Sequence, residues 1–266
     1  MTVAEALRAL EAREARLLLA HATGFSEASV LAHPERSLPA EAEQRFRDCA
    51  ARRARGEPIA YILGEKEFYG LPLAVNAAVL IPRPESELLV ERALALEPAA
   101  VLDLGTGSGA LALAIKRHRP QARVVAVERS AAALAVARRN AARLGLEVDL
   151  RHGLWFEPVA DERFDVIVSN PPYVSADDPH LAEGDVRFEP RSALVGGADG
   201  LESIREIVGA APARLAPGGW LFLEHGLGQA VAVRTLLANA GLVSVATWPD
   251  LAGIARVSGA RLESHP

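Results

Sequence analysis

The sequence predicts an α/β fold: a mostly parallel seven-stranded sheet covered by helices on both faces, with a small helical domain in front of it. Three observations carry this. From Val101 onward, short runs of Val, Ile and Leu alternate with longer stretches at helical spacing, which is the pattern of a buried parallel sheet. The first of those runs passes directly into the glycine-rich segment Gly105-Thr106-Gly107-Ser108-Gly109 and then into a helical stretch. Residues 1 to 56, by contrast, carry helical spacing throughout and no strand pattern.

In chain order, Thr2 and Glu5 have the spacing of a capping box, and Leu7, Leu10, Leu17 and Leu18 continue one predicted helix through His21. Ser26 to His33 predicts a short second helix, and Pro39 to Arg55 a third, ended by Gly56 and Pro58. Arg45, Arg47, Arg52, Arg53 and Arg55 cluster there. Glu41, Glu43 and Asp48 are interleaved with them, so a solvated helix face is favoured over a nucleic-acid patch. The helical domain is placed at 1–56 and a linker or hairpin at 57–82. Within that linker Tyr61, Ile62, Phe68 and Tyr69, punctuated by Gly64, Gly70 and Pro72, predict extended segments.

The larger domain is placed at 83–266. Pro84 suits the first turn of a helix, Glu85 and Glu87 lie near its positive end, and Glu97-Pro98 ends it beyond Leu96. Strands are expected at 101–104, 123–127, 147–150, 165–169, 220–224 and 242–247, with a last one at 254–257. Helices are expected between them at 110–117, 131–144, 200–215 and 227–240.

Composition bounds the function. The chain has 266 residues, half of them hydrophobic and 5% aromatic, so its core is built from Ala, Leu and Val. A formal charge of -5 argues against a broad electrostatic grip on nucleic acid. A single cysteine, Cys49, excludes an intramolecular disulfide and a cysteine-based zinc cluster and suits a reducing cytosol; no metal is expected. No apolar run has spanning length, and the charged first twenty residues do not read as a signal peptide, so a cytoplasmic protein without a membrane role is expected.

The chemistry is expected where strands end. Val166-Ile167-Val168-Ser169 runs straight into Asn170-Pro171-Pro172-Tyr173, and the prolines both stop the strand and stiffen the loop. At the carboxyl edge of an open sheet such a loop suits a planar NH2 group. The Asn170 amide oxygen and the Pro171 carbonyl each accept one of its protons, and Tyr173 stacks on its flat face. The plainer reading of the same tetrapeptide is a turn after a strand.

Gly105 to Gly109 let a ligand approach backbone N–H groups at a helix start. Gly105, Gly107 and Ala110 also satisfy the dinucleotide fingerprint, so a nicotinamide cofactor stays open on these residues. Glu128, closing the second strand, is placed to accept hydrogen bonds from ribose hydroxyls. Trp155 and Phe156 suit either an adenine wall or the core.

Together the glycine segment, Glu128 and Asn170-Pro171-Pro172-Tyr173 resemble a Rossmann-like class I S-adenosylmethionine-dependent methyltransferase acting on an amino or amide nitrogen. The likeness extends to residues 56–64 (Gly-Glu-Pro-Ile-Ala-Tyr-Ile-Leu-Gly), Phe68-Tyr69-Gly70 and Ile81-Pro82-Arg83-Pro84-Glu85-Ser86-Glu87. It continues through Phe188-Glu189-Pro190, Ala193-Leu194, Gly196-Gly197, Asp199-Gly200-Leu201, Asp250-Leu251-Ala252-Gly253 and Arg256-Val257. These blocks are similar to the HemK/PrmC family, which methylates the glutamine of the Gly-Gly-Gln motif in peptide chain release factors and so tunes translation termination.

The resemblance implies that Gly105, Thr106, Gly107, Ser108, Gly109, Glu128, Trp155 and Asn170 hold S-adenosylmethionine, leaving S-adenosylhomocysteine as product. It also implies that Asn170, Pro171, Pro172 and Tyr173 receive the glutamine, with Asn170, Pro171 and Tyr173 acting in catalysis. A class 1 release factor is the implied partner, with no direct contact to nucleic acid. Two departures stand out. Glu128 occupies a position where many relatives carry Asp, and Leu154 one where an acid commonly precedes the aromatic pair. The alternative reading is a nucleic-acid amino methyltransferase, since the exocyclic NH2 of adenine or cytosine poses the same geometric problem.

Overall fold

The computed structural model describes residues 1–264. The described chain divides into two compact units, one of residues 1–65 with 182–188, the other of 66–181 with 189–264.

The first unit holds five helices: α1 (Val3–Leu7), α2 (Ala12–Thr23), α3 (Glu27–Ala32), α4 (Ala40–Ala54) and α5 (Ile59–Leu63). The capping box at Thr2 and Glu5 forms, but the single helix expected through His21 is broken into α1 and α2. The break has a local cause: Glu11 turns its carboxylate onto the N–H groups of Arg13 and Glu14 and starts a new helix. The segment expected to be extended at Tyr61 and Ile62 is instead α5, because both side chains are buried, Ile62 among Leu18, Leu19, Phe46 and Cys49. Packing there overrides local propensity. The arginine cluster is spent on the unit itself. Arg47 pairs with Glu43, Arg52 with Glu57, and Arg53 with both Glu14 and Asp185.

The second unit begins within a hairpin, β1 (Glu65–Phe68) and β2 (Leu71–Ala74). A 3₁₀ turn at Pro84–Ser86 leads into α6 (Glu87–Leu94). Then follow β3 (Ala100–Leu104), α7 (Ala110–His118), β4 (Arg123–Glu128), α8 (Ala131–Leu144), β5 (Asp149–His152) and β6 (Phe164–Ser169). The chain continues through α9 (Arg191–Leu194), α10 (Glu202–Ala210), β7 (Leu215–Glu224), α11 (Ala230–Asn239), β8 (Val243–Pro249) and β9 (Ala255–Arg261).

All seven expected strands are present and form one sheet in the order β5-β4-β3-β6-β7-β9-β8. The first five run parallel, and β9 runs antiparallel between β7 and β8. The helix expected over 200–215 ends earlier: α10 stops at Ala210, a short 3₁₀ turn follows, and residue 215 already belongs to β7. Pro212 explains the stop, since it cannot donate in a helix interior.

Alternate strand residues feed two cores, as pleating requires. Val101, Val124, Val166, Val168 and Phe222 face α6 and α7, whereas Leu102, Val125, Ile167, Leu221 and Leu223 face α10 and α11. The chain leaves β3 toward β4 and β5 on one side and returns to β6 on the other. The carboxyl ends of β3 and β6 therefore flank the switch point where such sheets open a crevice. Ser169 ties the two together by donating its hydroxyl to the Leu104 carbonyl at 2.7 Å. No helix among the described residues is long and apolar enough to cross a membrane.

Candidate active site

At that switch point lies an open cavity. Gly105, Thr106, Gly107, Ser108, Glu128, Trp155, Asn170 and Pro172 all line it, so residues from the ends of β3, β4, β5 and β6 meet in one space. Gly109 lies just outside, buried at the start of α7, and Pro171 is buried behind Asn170. Tyr173 faces a second, smaller cavity with Arg83, Glu85, Glu224 and Arg256. Arg83 lines both.

The glycine segment is open where a ligand would come. Gly105 is exposed at φ +72°, and nothing stands within 4 Å of a β-carbon added to Gly107. Its far side is pinned by Asn140 of α8, which is wholly buried. Asn140 Nδ2 donates to the carbonyls of Ser108 (2.9 Å) and Ala74 (3.0 Å), and its Oδ1 accepts from the Ala74 N–H at 2.7 Å. One polar residue on the buried face of an alanine-rich helix was the available signal for this anchor.

Asp103, one residue before the end of β3, is another buried polar group. It accepts from the Thr106 hydroxyl at 2.6 Å and the Ala112 N–H at 3.2 Å, while its Oδ1 has no hydrogen-bond partner among the described residues. Burial pushes its carboxyl up to about 7.

Glu128 accepts from the Gly107 N–H at 3.0 Å through one oxygen and from the Ser130 N–H at 2.8 Å through the other. Each oxygen keeps a lone pair for a further donor. Trp155 and Phe156 separate in role. Trp155, at φ +44°, lies on the cavity wall against Gly105 and donates its indole N–H to Glu206 at 2.7 Å, whereas Phe156 is buried in the core. Leu154 also lines the cavity and supplies no carboxylate there.

The Asn170 side chain reaches across to the turn before α6. Its Nδ2 lies 3.0 Å from Ser86 Oγ, which donates to Glu224 Oε2 at 2.6 Å, and Tyr173 donates its hydroxyl to Glu224 Oε1 at 3.1 Å. Burial, then Glu224, holds the Tyr173 phenol well above its usual range. Ser86 and Glu224 were not singled out from sequence. The available signal was an acid closing the apolar run Trp220–Leu223, the same position in its strand that Glu128 holds in β4.

Several blocks of the family resemblance explain themselves as scaffold. Glu189, fully buried, accepts from the Ile81 N–H at 3.0 Å and pairs with Arg83. Asp250 closes its turn on the N–H groups of Ala252 and Ile254, both at 2.9 Å, and receives Arg256 at 3.2 Å.

The comparisons with known proteins agree with this geometry. A profile described as Methyltransferase small domain matches residues 84–184, and one described as PrmC N-terminal domain matches residues 3–64. The release factor glutamine methyltransferase of Burkholderia pseudomallei is 53% identical over 274 residues, covering 98% of this chain and 96% of that protein. That of Xylella fastidiosa is 51% identical over 264 residues, covering 97% and 96%. The chain belongs to the release factor glutamine methyltransferase family. Family membership sets aside the dinucleotide reading of Gly105, Gly107 and Ala110. A solved methyltransferase from Pyrococcus furiosus has the same fold, at a TM-score of 0.60 and 23% identity over 82% of this chain and 99% of that one.

Proposed function

We propose that this protein transfers the methyl group of S-adenosylmethionine to the side-chain amide nitrogen of a glutamine, that of the Gly-Gly-Gln motif, in a class 1 peptide chain release factor. The observation that carries the reading is the meeting of Asn170 with Gly105, Gly107 and Glu128 in one cavity. An amide held at Asn170 there adjoins whatever the glycine segment cradles. The family relatives, named for release factors and aligned over nearly the whole chain, supply the substrate class.

The residues fit S-adenosylmethionine. Gly105 and Gly107 leave room for backbone approach, Glu128 has acceptor capacity left for ribose hydroxyls, and Trp155 offers an apolar wall for the adenine. When bound, that molecule supplies an electrophilic methyl group on a sulfonium. Asn170 Oδ1 and the Pro171 carbonyl accept the two N–H bonds of the glutamine amide, fixing the nitrogen and raising its electron density. Tyr173 faces the second cavity, and its hydroxyl bond to Glu224 steadies the loop that carries Asn170. Orientation contributes up to roughly 7–11 kcal/mol, against about 0.5–1.5 kcal/mol for a neutral hydrogen bond, so positioning dominates. Transfer would leave the nitrogen as an N-methylated amide cation and the donor as its neutral thioether; that cation is acidic enough to lose one N–H proton to water, and no general base is required. The place of action is the cytoplasm, and no direct contact with nucleic acid is part of the reading.

The test is transfer of labelled methyl from S-adenosylmethionine to a purified release factor, to its Gln→Ala variant and to duplex DNA. Labelling of the first alone is expected. Equal labelling of the Gln→Ala variant, or labelling of the duplex in preference, overturns the reading.

A further inference from the structure

The two ends of the Asn170 carboxamide differ in kind: Oδ1 accepts and Nδ2 donates. Only one of its two orientations can receive a substrate NH2 group. Ser86 Oγ lies between Asn170 Nδ2, at 3.0 Å, and Glu224 Oε2, at 2.6 Å. A hydroxyl has one hydrogen. Committed to the Glu224 carboxylate, it leaves Ser86 with lone pairs only, so Ser86 can bond Asn170 solely by accepting from Nδ2. Oδ1 is thereby turned away from Ser86. Without the carboxylate, the Ser86 hydrogen is free to swing onto Asn170 Oδ1. The reversed amide then sets donor against donor when a primary amide arrives.

We propose that Glu224 is a positioning residue for methyl transfer which, acting through Ser86, sets the polarity of the Asn170 carboxamide and so selects a glutamine amide over a glutamate carboxylate. The proposal rests on the reading of Asn170 as the amide clamp. An acceptor at Asn170 Oδ1 attracts the N–H groups of glutamine and repels the oxygens of glutamate, which has no hydrogen to offer when ionised.

The surroundings of Glu224 suit this part. Its side chain is 1% exposed, and each of its oxygens receives one hydroxyl, from Ser86 and from Tyr173. The charged groups lining the second cavity with it are Glu85 from the turn before α6, Arg83 beside it, and Arg256 from β9. Burial pushes the carboxyl up to about 7; the Ser86 and Tyr173 hydrogen bonds and Arg256 pull it back, and Glu85 adds to the rise. A protonated Glu224 can give its own hydrogen to Ser86, freeing the serine hydrogen to reverse Asn170. The favourable polarity is therefore lost as pH falls through that value.

The experiment measures methyl transfer to a purified release factor and to its Gln→Glu variant by wild type, Glu224→Leu, Glu224→Gln and Ser86→Ala, between about pH 6 and pH 9. Glutamine cannot ionise and, like the protonated acid, can offer Ser86 either an acceptor or a donor. Glu224→Gln is therefore expected to lose the decline toward acid pH and to turn over across the whole range at about the reduced rate that wild type reaches at its acid end. Glu224→Leu and Ser86→Ala are expected to lower kcat about 10- to 100-fold, with S-adenosylhomocysteine affinity within about twofold of wild type. Inhibition by the Gln→Glu variant, weak for wild type, is expected to strengthen several-fold in Glu224→Leu. Combining Glu224→Leu with Ser86→Ala should cost no more than about threefold beyond Ser86→Ala alone, because both act on one bond.

Glu224→Leu with wild-type kcat, an unchanged acid limb in Glu224→Gln, or unchanged discrimination against the Gln→Glu variant overturns the proposal. Should Glu224→Leu fail to fold, Ser86→Ala decides, and normal turnover in that variant overturns it equally. A wild type that transfers no methyl group to the release factor removes the functional reading itself and this proposal with it; the failures above leave that reading standing.

Discussion

A β-carbon on Gly200 would stand 2.3 Å from the carbonyl oxygen of Tyr173. The same carbonyl accepts a hydrogen bond from Gln229 Nε2 at 3.0 Å, and Gly200 sits at φ +75°, which an L side chain rarely adopts. The Asn170–Tyr173 loop is therefore held from behind by a position that admits no side chain. Gly200→Ala is expected to push Tyr173 forward and lower methyl transfer at least about tenfold, with cofactor affinity nearly unchanged. Steady-state kinetics beside calorimetric titration of S-adenosylhomocysteine checks this. Wild-type kcat would mean that the loop tolerates displacement.

On the proposed function, Asn170→Ala removes an acceptor for the substrate amide while leaving the glycine segment and Glu128 intact. The turnover number is expected to fall about 100- to 1,000-fold, with a small change in S-adenosylhomocysteine affinity. A variant impaired in cofactor binding rather than turnover would place Asn170 in a different role.

Glu128→Ala should do the opposite. It withdraws the carboxylate proposed to accept from the ribose hydroxyls and also frees the Gly107 N–H that this carboxylate holds at 3.0 Å. Affinity for S-adenosylhomocysteine is expected to drop about 10- to 100-fold. Glu128→Asp shortens the reach to Gly107 and should fall between the two. Calorimetry reads both.

Asn140→Leu fills similar space but leaves two carbonyls and one N–H of the β2 and glycine segments without partners. The loss in unfolding free energy is expected to be at least about 2 kcal/mol by urea titration. Cofactor affinity should weaken too, because the same side chain fixes Ser108.

Asp103 and Glu224 both have carboxyls raised to about 7 by burial. Between the ordinary carboxylate range and that value, the folded chain binds more protons than the unfolded one, so these two groups favour folding at low pH. Their contribution is complete below the unfolded values and is lost as pH rises through about 7. Urea titrations at about pH 5 and pH 8 should show a smaller pH-dependent change in Asp103→Asn than in wild type. Identical pH profiles would mean that Asp103 ionises normally in the folded state.

What could be read from the residues followed the range of the interactions. The seven strands were legible because each is an apolar run closed by a turn, and the cavity residues Gly105, Gly107, Glu128 and Asn170 because each sits at a strand end. The α1–α2 break was hidden, since Leu7, Leu10, Leu17 and Leu18 keep helical spacing across it and only the Glu11 side chain starts the second helix. α5 was hidden because Tyr61 and Ile62 are equally at home in strands, and their burial against other helices decides between the two. The support of the site was the least legible. Asn140 reaches back to Ala74 across 66 positions, and Glu224 reaches Ser86 across 138, separations over which local pattern says nothing.

The reversed direction of β9 has a consequence for how the protein is made. Running back along β7, it brings Arg256 to the edge that carries Asn170 and gives β8 its neighbour in the sheet. These residues follow the glycine segment, the Asn-Pro-Pro-Tyr loop and β7 in the order of synthesis. A nascent chain stalled before them has already synthesised those parts, yet leaves β7 paired with β6 alone and its other edge exposed. Closure of that edge thus waits on the strand synthesised after the other six.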